Sequence, residues 1–347
     1  MMGRISTSSL RASVLRPVLG QQAELARAQT EVATGRLAEP GLVLGGRTAR
    51  LASLDATILD SRATIETNGL ASAQLGAMQD ALSGMKAASA SFRGAAMAAL
   101  GASTDAAAEQ AAIVARGTRA SIVGQVNARL GAVHLFAGNA VDRAPLADPD
   151  TAIAARDTVS DAFIARFGHP IADPASATID PVAMGDFLDD LEAAFAATEY
   201  EARWVGAEPE LRTLRQVPGQ AMTLDALAHD PAFRDLVLST SIAEALSVVD
   251  LANETRAVVL ERVVAVSTRG DGRLAELAGR IGSDEERLAR ATARLETRTA
   301  IAERAVNGLT AVDGLEAATR VQALVTQLEA SLAITARVSR LSLLNHL

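Results

Sequence analysis

Four carboxylates, Asp186, Asp189, Asp190 and Glu192, cluster within seven residues. Carboxylates this close together can hold a divalent cation, or divide the roles of general acid and general base. On a helix, however, Asp186 and Asp190 share one side while Phe187 and Leu191 share another, and a solvated charged face is the simpler reading. The four histidines, His134, His169, His229 and His346, stand one by one, with no second histidine at metal-ligand spacing. Cysteine is absent, which removes disulfides, thiolate catalysis and cysteine metal sites. Gly41, Gly45 and Gly46 follow no convincing strand, so a phosphate-cradling loop is not expected. No serine sits in a nucleophile elbow, and Met78 and Met85 fall in a helical core row. The expected catalytic, cofactor-binding and metal-binding residues are therefore none, and the chain reads as a non-enzyme.

The elements that would position any such group are long helices. In 347 residues apolar types make up 49% but aromatics only 3%, so the core must be aliphatic and rich in alanine. The formal charge is −8, and Lys86 is the only lysine. An acidic chain without a basic cluster argues against nucleic acid as a partner. No stretch reaches the eighteen or so apolar residues of a membrane span, so no membrane partner is expected. The first 25 residues carry no apolar run of signal-peptide length, which by itself suggests a cytoplasmic, soluble protein but allows export by a route that leaves the chain uncleaved.

The last stretch, Leu309 to Leu347, opens with a polar joint at Thr310 to Gly314. It continues with Val321, Leu324, Leu328, Leu332, Thr335, Val338, Leu341 and Leu344 on one helical face. A stripe like this needs a partner, since each buried Leu or Val contributes about 1.5–3 kcal/mol. From Ile5 to Ala33 two adjacent rows keep heptad spacing, Val14, Val18, Gln21, Leu25, Ala28 and Val32 beside Leu15, Leu19, Gln22, Ala26, Gln29 and Ala33. The two terminal helices are natural partners. Pro17 should kink the first or mark its true start.

Between the ends, a helix is expected from about Thr48 to Leu100, with a row through Leu51, Leu54, Ile58, Ser61, Ile65, Asn68, Ser72 and Leu75. After one register slip the row resumes at Met78, Leu82, Met85, Ser89, Phe92 and Ala96. Gly101 closes this helix, and Thr104 caps an antiparallel successor. Helical periodicity returns at Asp230 and Pro231 with Leu236, Ala243, Leu246, Val249, Ala257, Leu260 and Val263. Gly270, Asp271 and Gly272 suggest a turn, and Ser283 with Glu286 a capping box that could break the following row from Leu274 to Leu309.

Seven of the ten prolines lie between Pro145 and Pro218, and six of the nine aromatics between Phe163 and Trp204. This reads as a small inserted α+β domain with its own aromatic core, removable without loss of assembly. Short strands are expected near Val133 to Ala137 and Arg203 to Val205, and a helix near Ala183 to Ala197. The fold class is mainly α: a long antiparallel helical bundle and coiled coil built from both chain ends. Three parts are expected. Residues 1–47 with 310–347 form a terminal coiled-coil assembly domain, residues 48–136 with 230–309 a long-helix bundle, and residues 137–229 a variable insert.

Read together, the two ends resemble the bacterial flagellin superfamily. Arg4-Ile5-Ser6-Thr7-Ser8, then Leu25 through Gln29 to Ala33-Thr34-Gly35-Arg36, is similar to the family's opening and first joint. Arg47 to Leu51 resembles its second helix start, and His134-Leu135-Phe136-Ala137-Gly138 its hairpin entry to the variable region. Ile281-Gly282 with Arg287-Leu288, Val312-Asp313, Glu316-Ala317 and Leu341-Ser342-Leu343-Leu344-Asn345 resemble the C-terminal signature. Pro17 and the Glu39-Pro40-Gly41-Leu42 run depart from the family pattern. Within the family, the short insert and the Leu343 to Leu347 ending look more like the hook-to-filament junction members than like filament flagellin, which is the alternative.

The resemblance implies an extracellular structural subunit, exported by the flagellar type III apparatus with its chaperone and without a cleaved signal peptide. It implies copies of the chain in a ring or tube as partners, with an adjacent hook-associated protein and flagellin. The physical reading adds that the end helices pair within one chain and meet neighbours through their remaining apolar faces. The expected assembly residues are Val14, Leu15, Val18, Leu19 and Leu25 with Leu328, Leu332, Val338 and Leu341. Readings from other classes are a cytoplasmic coiled-coil interaction module, and an enzyme in the insert that would depend on Asp186 or Asp190.

Overall fold

The computed structural model describes residues 7–206, 212–217, 220–224, 226–246 and 251–344. The fold is mainly α-helical, with two small two-stranded sheets. By internal packing the chain falls into two units, Met1–Ala63 with Arg294–Leu347, and Thr64–Ala293. Two long helices, α3 (Thr48–Ala102) and α10 (Asn253–Thr310), contribute residues to both units.

The first unit also holds α1 (Thr7–Thr34), the short α2 (Pro40–Leu44) and α11 (Gly314–Leu344). Helix α1 runs through Pro17, so the proline does not mark its start. Pro17 is exposed, on a side where a carbonyl left without its helical donor can turn to water. At the other end Gly35 takes a left-handed φ of 67°, and its N–H donates to Glu31 O at 2.9 Å. A side chain would be strained there, which is why glycine closes so many helices. Helix α10 stops at Thr310, within the joint read from the sequence, and Asp313 then caps α11 by accepting from Leu315 N at 2.9 Å. The start of α3 packs on the end of α10 through Ile58, Ala302 and Val306, flanked by Leu51 and Leu54.

In the second unit the remainder of α3 buries Met78, Leu82, Met85, Ser89, Phe92 and Ala96, the row expected after the register slip. Before the slip Ser72 is exposed and Ala71 takes the buried position. Ser103 ends α3 with a left-handed φ of 51°. Thr104 then caps α4 (Asp105–Val126), its side chain accepting from Ala107 N at 3.4 Å. Helix α4 packs on α9 (Pro231–Leu246), which Asp230 caps by accepting from Ala232 N at 2.9 Å. The row expected to continue from Leu236 to Val263 is divided between α9 and α10, and Val249 lies outside the described residues.

The two interruptions expected after Asn253 do not occur, because α10 is continuous. A Cβ on Gly270 would sit 2.9 Å from Leu236 Cδ2, so this glycine makes room for α9 instead of making a turn. Close packing outweighs the roughly 1 kcal/mol that glycine costs inside a helix. Ser283 Oγ donates to Gly279 O at 3.1 Å, a bond within the helix in place of a cap.

Just ahead of the Pro- and aromatic-rich stretch β1 (Arg129–Leu130) pairs with β2 (Val133–His134), and the stretch itself forms α5 (Ile153–Arg156), α6 (Thr158–Phe167), α7 (Pro181–Ala194) and α8 (Tyr200–Arg203), with a π-helical turn at Phe195–Glu199. Near Arg203 to Val205 there is only a single bridge, Val205 to Leu146, in place of the expected strand. A hairpin of β3 (Arg212–Val217) and β4 (Gln220–Leu224) had not been expected. Its charged first strand lacks clean alternation, although Pro218-Gly219 is a turn signal. Phe163 and Phe187 pack edge to face at 5.6 Å, and Tyr200 donates to Ala228 O at 2.7 Å. These aromatics share one continuous core with α3, α4, α9 and α10 residues, including Leu75, Ile122, Phe233 and Val263.

Candidate assembly interface

The two terminal helices meet at a short backbone clasp. Leu37 N donates to Thr310 O at 2.8 Å and Val312 N to Gly35 O at 3.0 Å, around an antiparallel bridge between Arg36 and Ala311. Arg36 also reaches Asn307 Oδ1 through its guanidinium. Glu31 is buried and its Oε1 accepts from Ala38 N at 3.2 Å, while Arg27 pairs with Glu39 at 2.9 Å. The chain is thus turned so that α1 and α11 leave the clasp side by side and pack along one another in opposite directions.

Counted outward from the Arg36–Ala311 bridge, equal rise along both helices brings Ala28, Leu25 and Val18 to within about two residues of the level of Ala317, Val321 and Leu328. Ala28 and Ala317 are both buried, which allows close approach next to the clasp. Farther out Val18 and Leu324 are buried, and Leu25, Val321 and Leu328 are half-buried. One of the two rows of α1, through Val18, Gln21, Leu25 and Ala28, is therefore the seam, but its last position is Glu31 and not Val32, which is exposed.

The second row of α1 is open to solvent: Leu19 is 63% exposed, and Gln22, Ala26, Gln29 and Ala33 are exposed with it. On α11, Leu332 is 47% exposed, and Ser331 takes the half-buried place expected for it. Ile334 and Leu315, which the spacing does not mark because they lie off the α11 row, are exposed as well. Of the nine expected assembly residues, Val18, Leu25 and Leu328 lie on the seam, and Leu19 and Leu332 on open faces. The side chains of Val14, Leu15, Val338 and Leu341 lie outside the described residues, as does the Leu343 to Leu347 ending beyond Leu344.

The carboxylates of α7 are not a ligand set. Asp189 pairs with Arg262 at 2.6 Å, and Glu192 pairs with both Arg262 and Arg269. Asp186 and Asp190 are exposed. Arg269 continues to buried Asp235 at 2.9 Å, where Arg273 also binds, so these charges tie α7 and α9 to α10. Burial lowers the Arg269 pKa, but its bonds to Asp235 and Glu192 outweigh this and raise it. Among the described residues no group of three or more His, Asp or Glu is placed to hold a metal ion, and no helix is long and apolar enough to cross a membrane. His134 binds Asn127 O through Nδ1 at 2.9 Å, and burial depresses the His229 pKa against the opposing charge of Glu201. His346 lies outside the described residues.

Residues 272–347 match the family model of the bacterial flagellin C-terminal helical region, covering the later part of α10 and all of α11. Among solved structures, one similar in fold is a Vibrio parahaemolyticus protein described as a candidate flagellar hook-associated protein, at 11% identity and a TM-score of 0.53 over 76% of this chain and 97% of that one. No curated protein sequence matches. The chain is flagellin-like, matching the C-terminal helical region of bacterial flagellin over its last long helices and resembling that Vibrio protein in its fold.

Proposed function

We propose that the chain is a structural subunit of the bacterial flagellum, not an enzyme, and that it assembles through α1 and α11. The observation that carries this reading is the division of the terminal pair into a closed seam and outward sides that leave Leu19, Val32, Leu332 and Ile334 exposed, with α11 lying in the region that matches flagellin. An apolar face left open on a paired helix gains its burial only when another chain covers it, so ordering and assembly are coupled. In this reading residues 1–47 with 310–347 are the assembly part, 48–136 with 230–309 the long-helix part, and 137–229 the variable part. The subunit is exported by the flagellar type III apparatus with a chaperone, without a cleaved signal peptide, and works outside the cell.

The finer placement is the hook-to-filament junction, with an adjacent hook-associated protein and flagellin as neighbours. It is supported by the likeness in fold to the Vibrio protein. The match to the flagellin C-terminal model favours a second reading, filament flagellin. Copies per sheared flagellum, counted by quantitative mass spectrometry, separate the two: a few for a junction and a great many for a filament. Absence from sheared, cell-free flagella would overturn both.

A further inference from the structure

The second unit contains a cavity of about 670 Å³ that the assembly reading does not use. Its walls come from α4, the start of α6, the loop at 170–174 and α9. Three arginines line it, Arg116, Arg119 and Arg156. Arg119 and Ser241 are 5% and 2% exposed, and Arg119 Nε and Ser241 Oγ have no hydrogen-bond partner. Pro170, Ile171 and Pro174 add apolar surface to the lining.

The polar inventory of the cavity is rich in donors. Glu244 is shared by Arg116, at 2.8 Å, and Arg119, so one carboxylate serves two guanidiniums. Asp157 holds Arg156 at 2.9 Å, and Asp173 Oδ1 accepts from Ala175 N. Each guanidinium has five N–H donors, and Arg119 Nε is one that no acceptor of the chain meets. Arg119 also lies over the Trp204 ring, 6.0 Å from its centroid. Burial is the largest influence on its pKa, and the net direction is downward even with Glu244 and Asp150 opposing it. More negative charge in the cavity would relieve this guanidinium.

We propose that this cavity binds a small organic carboxylate, with its oxygens on Ser241 and the arginines and its hydrocarbon body against Ile171 and Pro174. Unpartnered buried donors favour an acceptor that carries charge, and the apolar surface favours a body that inorganic anions lack. The site is independent of the terminal helices, so it stands or falls separately from the assembly reading.

The test titrates the full-length chain with valerate, 1-pentanol and inorganic phosphate, followed by calorimetry and thermal melting. Valerate is expected to bind saturably and raise the melting temperature, with pentanol and phosphate at least about tenfold weaker, the scale set by losing one charged hydrogen-bonding group. Ser241→Ala loses no existing bond and should melt like the parent, and Arg156→Gln alters only the rim. Each should weaken valerate about tenfold. No saturable valerate binding, equal binding of pentanol or phosphate, or undiminished binding by either variant overturns the assignment. Should Ser241→Ala fail to fold, Arg156→Gln decides it alone.

Discussion

Single residues at the helix ends set local stability, and two of them offer opposite tests. Ser103 holds a left-handed φ of 51° without being glycine. Ser103→Gly should therefore raise stability by about 0.5–1 kcal/mol, seen as a higher denaturation midpoint. Asp313→Ala should lower it by about 1 kcal/mol, because the first amides of α11 lose their acceptor. His229 gives a pH test. Burial holds its pKa below the usual 6.5, so the unfolded chain binds the proton more readily. Its contribution is intact above pH 6.5 and lost as the pH falls through the folded value. The melting temperature should drop over that acid range, and His229→Gln should flatten the drop. Caps such as Thr104 and Asp230 were legible because a short polar side chain before an apolar row has one mechanism. Gly270 was misread because a glycine for a turn and a glycine for close approach look alike until Leu236 is seen against it.

At the scale of helices, the terminal pair separates two kinds of apolar position that the sequence could not separate. Heptad spacing gave α1 two adjacent rows, and either could have been the seam. The clasp at Gly35 to Leu37 and Thr310 to Val312 fixes the register that chooses the row through Val18 and Leu25. Leu19→Glu with Leu332→Glu should leave the monomer's stability within about 0.5 kcal/mol, since both side chains are already exposed. The same pair should abolish polymerisation measured by sedimentation, and normal polymers would place the interface elsewhere. Leu25→Glu with Leu328→Glu should instead reduce helicity in the monomer by putting charge into the seam. The length of α3 and its row from Met78 to Ala96 were legible because only a buried helix face keeps a three-and-four spacing over so many turns. The β3–β4 hairpin was not, since Arg212 to Val217 alternates poorly.

For the chain as a whole, the clearest lesson concerns the Pro- and aromatic-rich stretch. Its composition suggested a removable insert, yet Phe163, Phe187, Phe195 and Trp204 belong to the core that also buries Leu75, Ile122, Phe233 and Val263. Composition marks where a segment differs, but it does not show which face of the scaffold the segment covers. Deleting residues 145–218 should therefore abolish cooperative unfolding of the second unit in calorimetry, and an unchanged transition would show that the insert folds apart. The clasp has a kinetic consequence as well. Residues 35–37 and 310–312 lie near opposite ends of the sequence, so their pairing closes nearly the whole chain into one loop. Loop-closure entropy falls on this contact more than on any local helix pairing, unless the intervening chain has already condensed. The terminal pair should then be the last element to form and the first to open, with substitutions on its seam speeding unfolding while leaving the folding rate almost untouched.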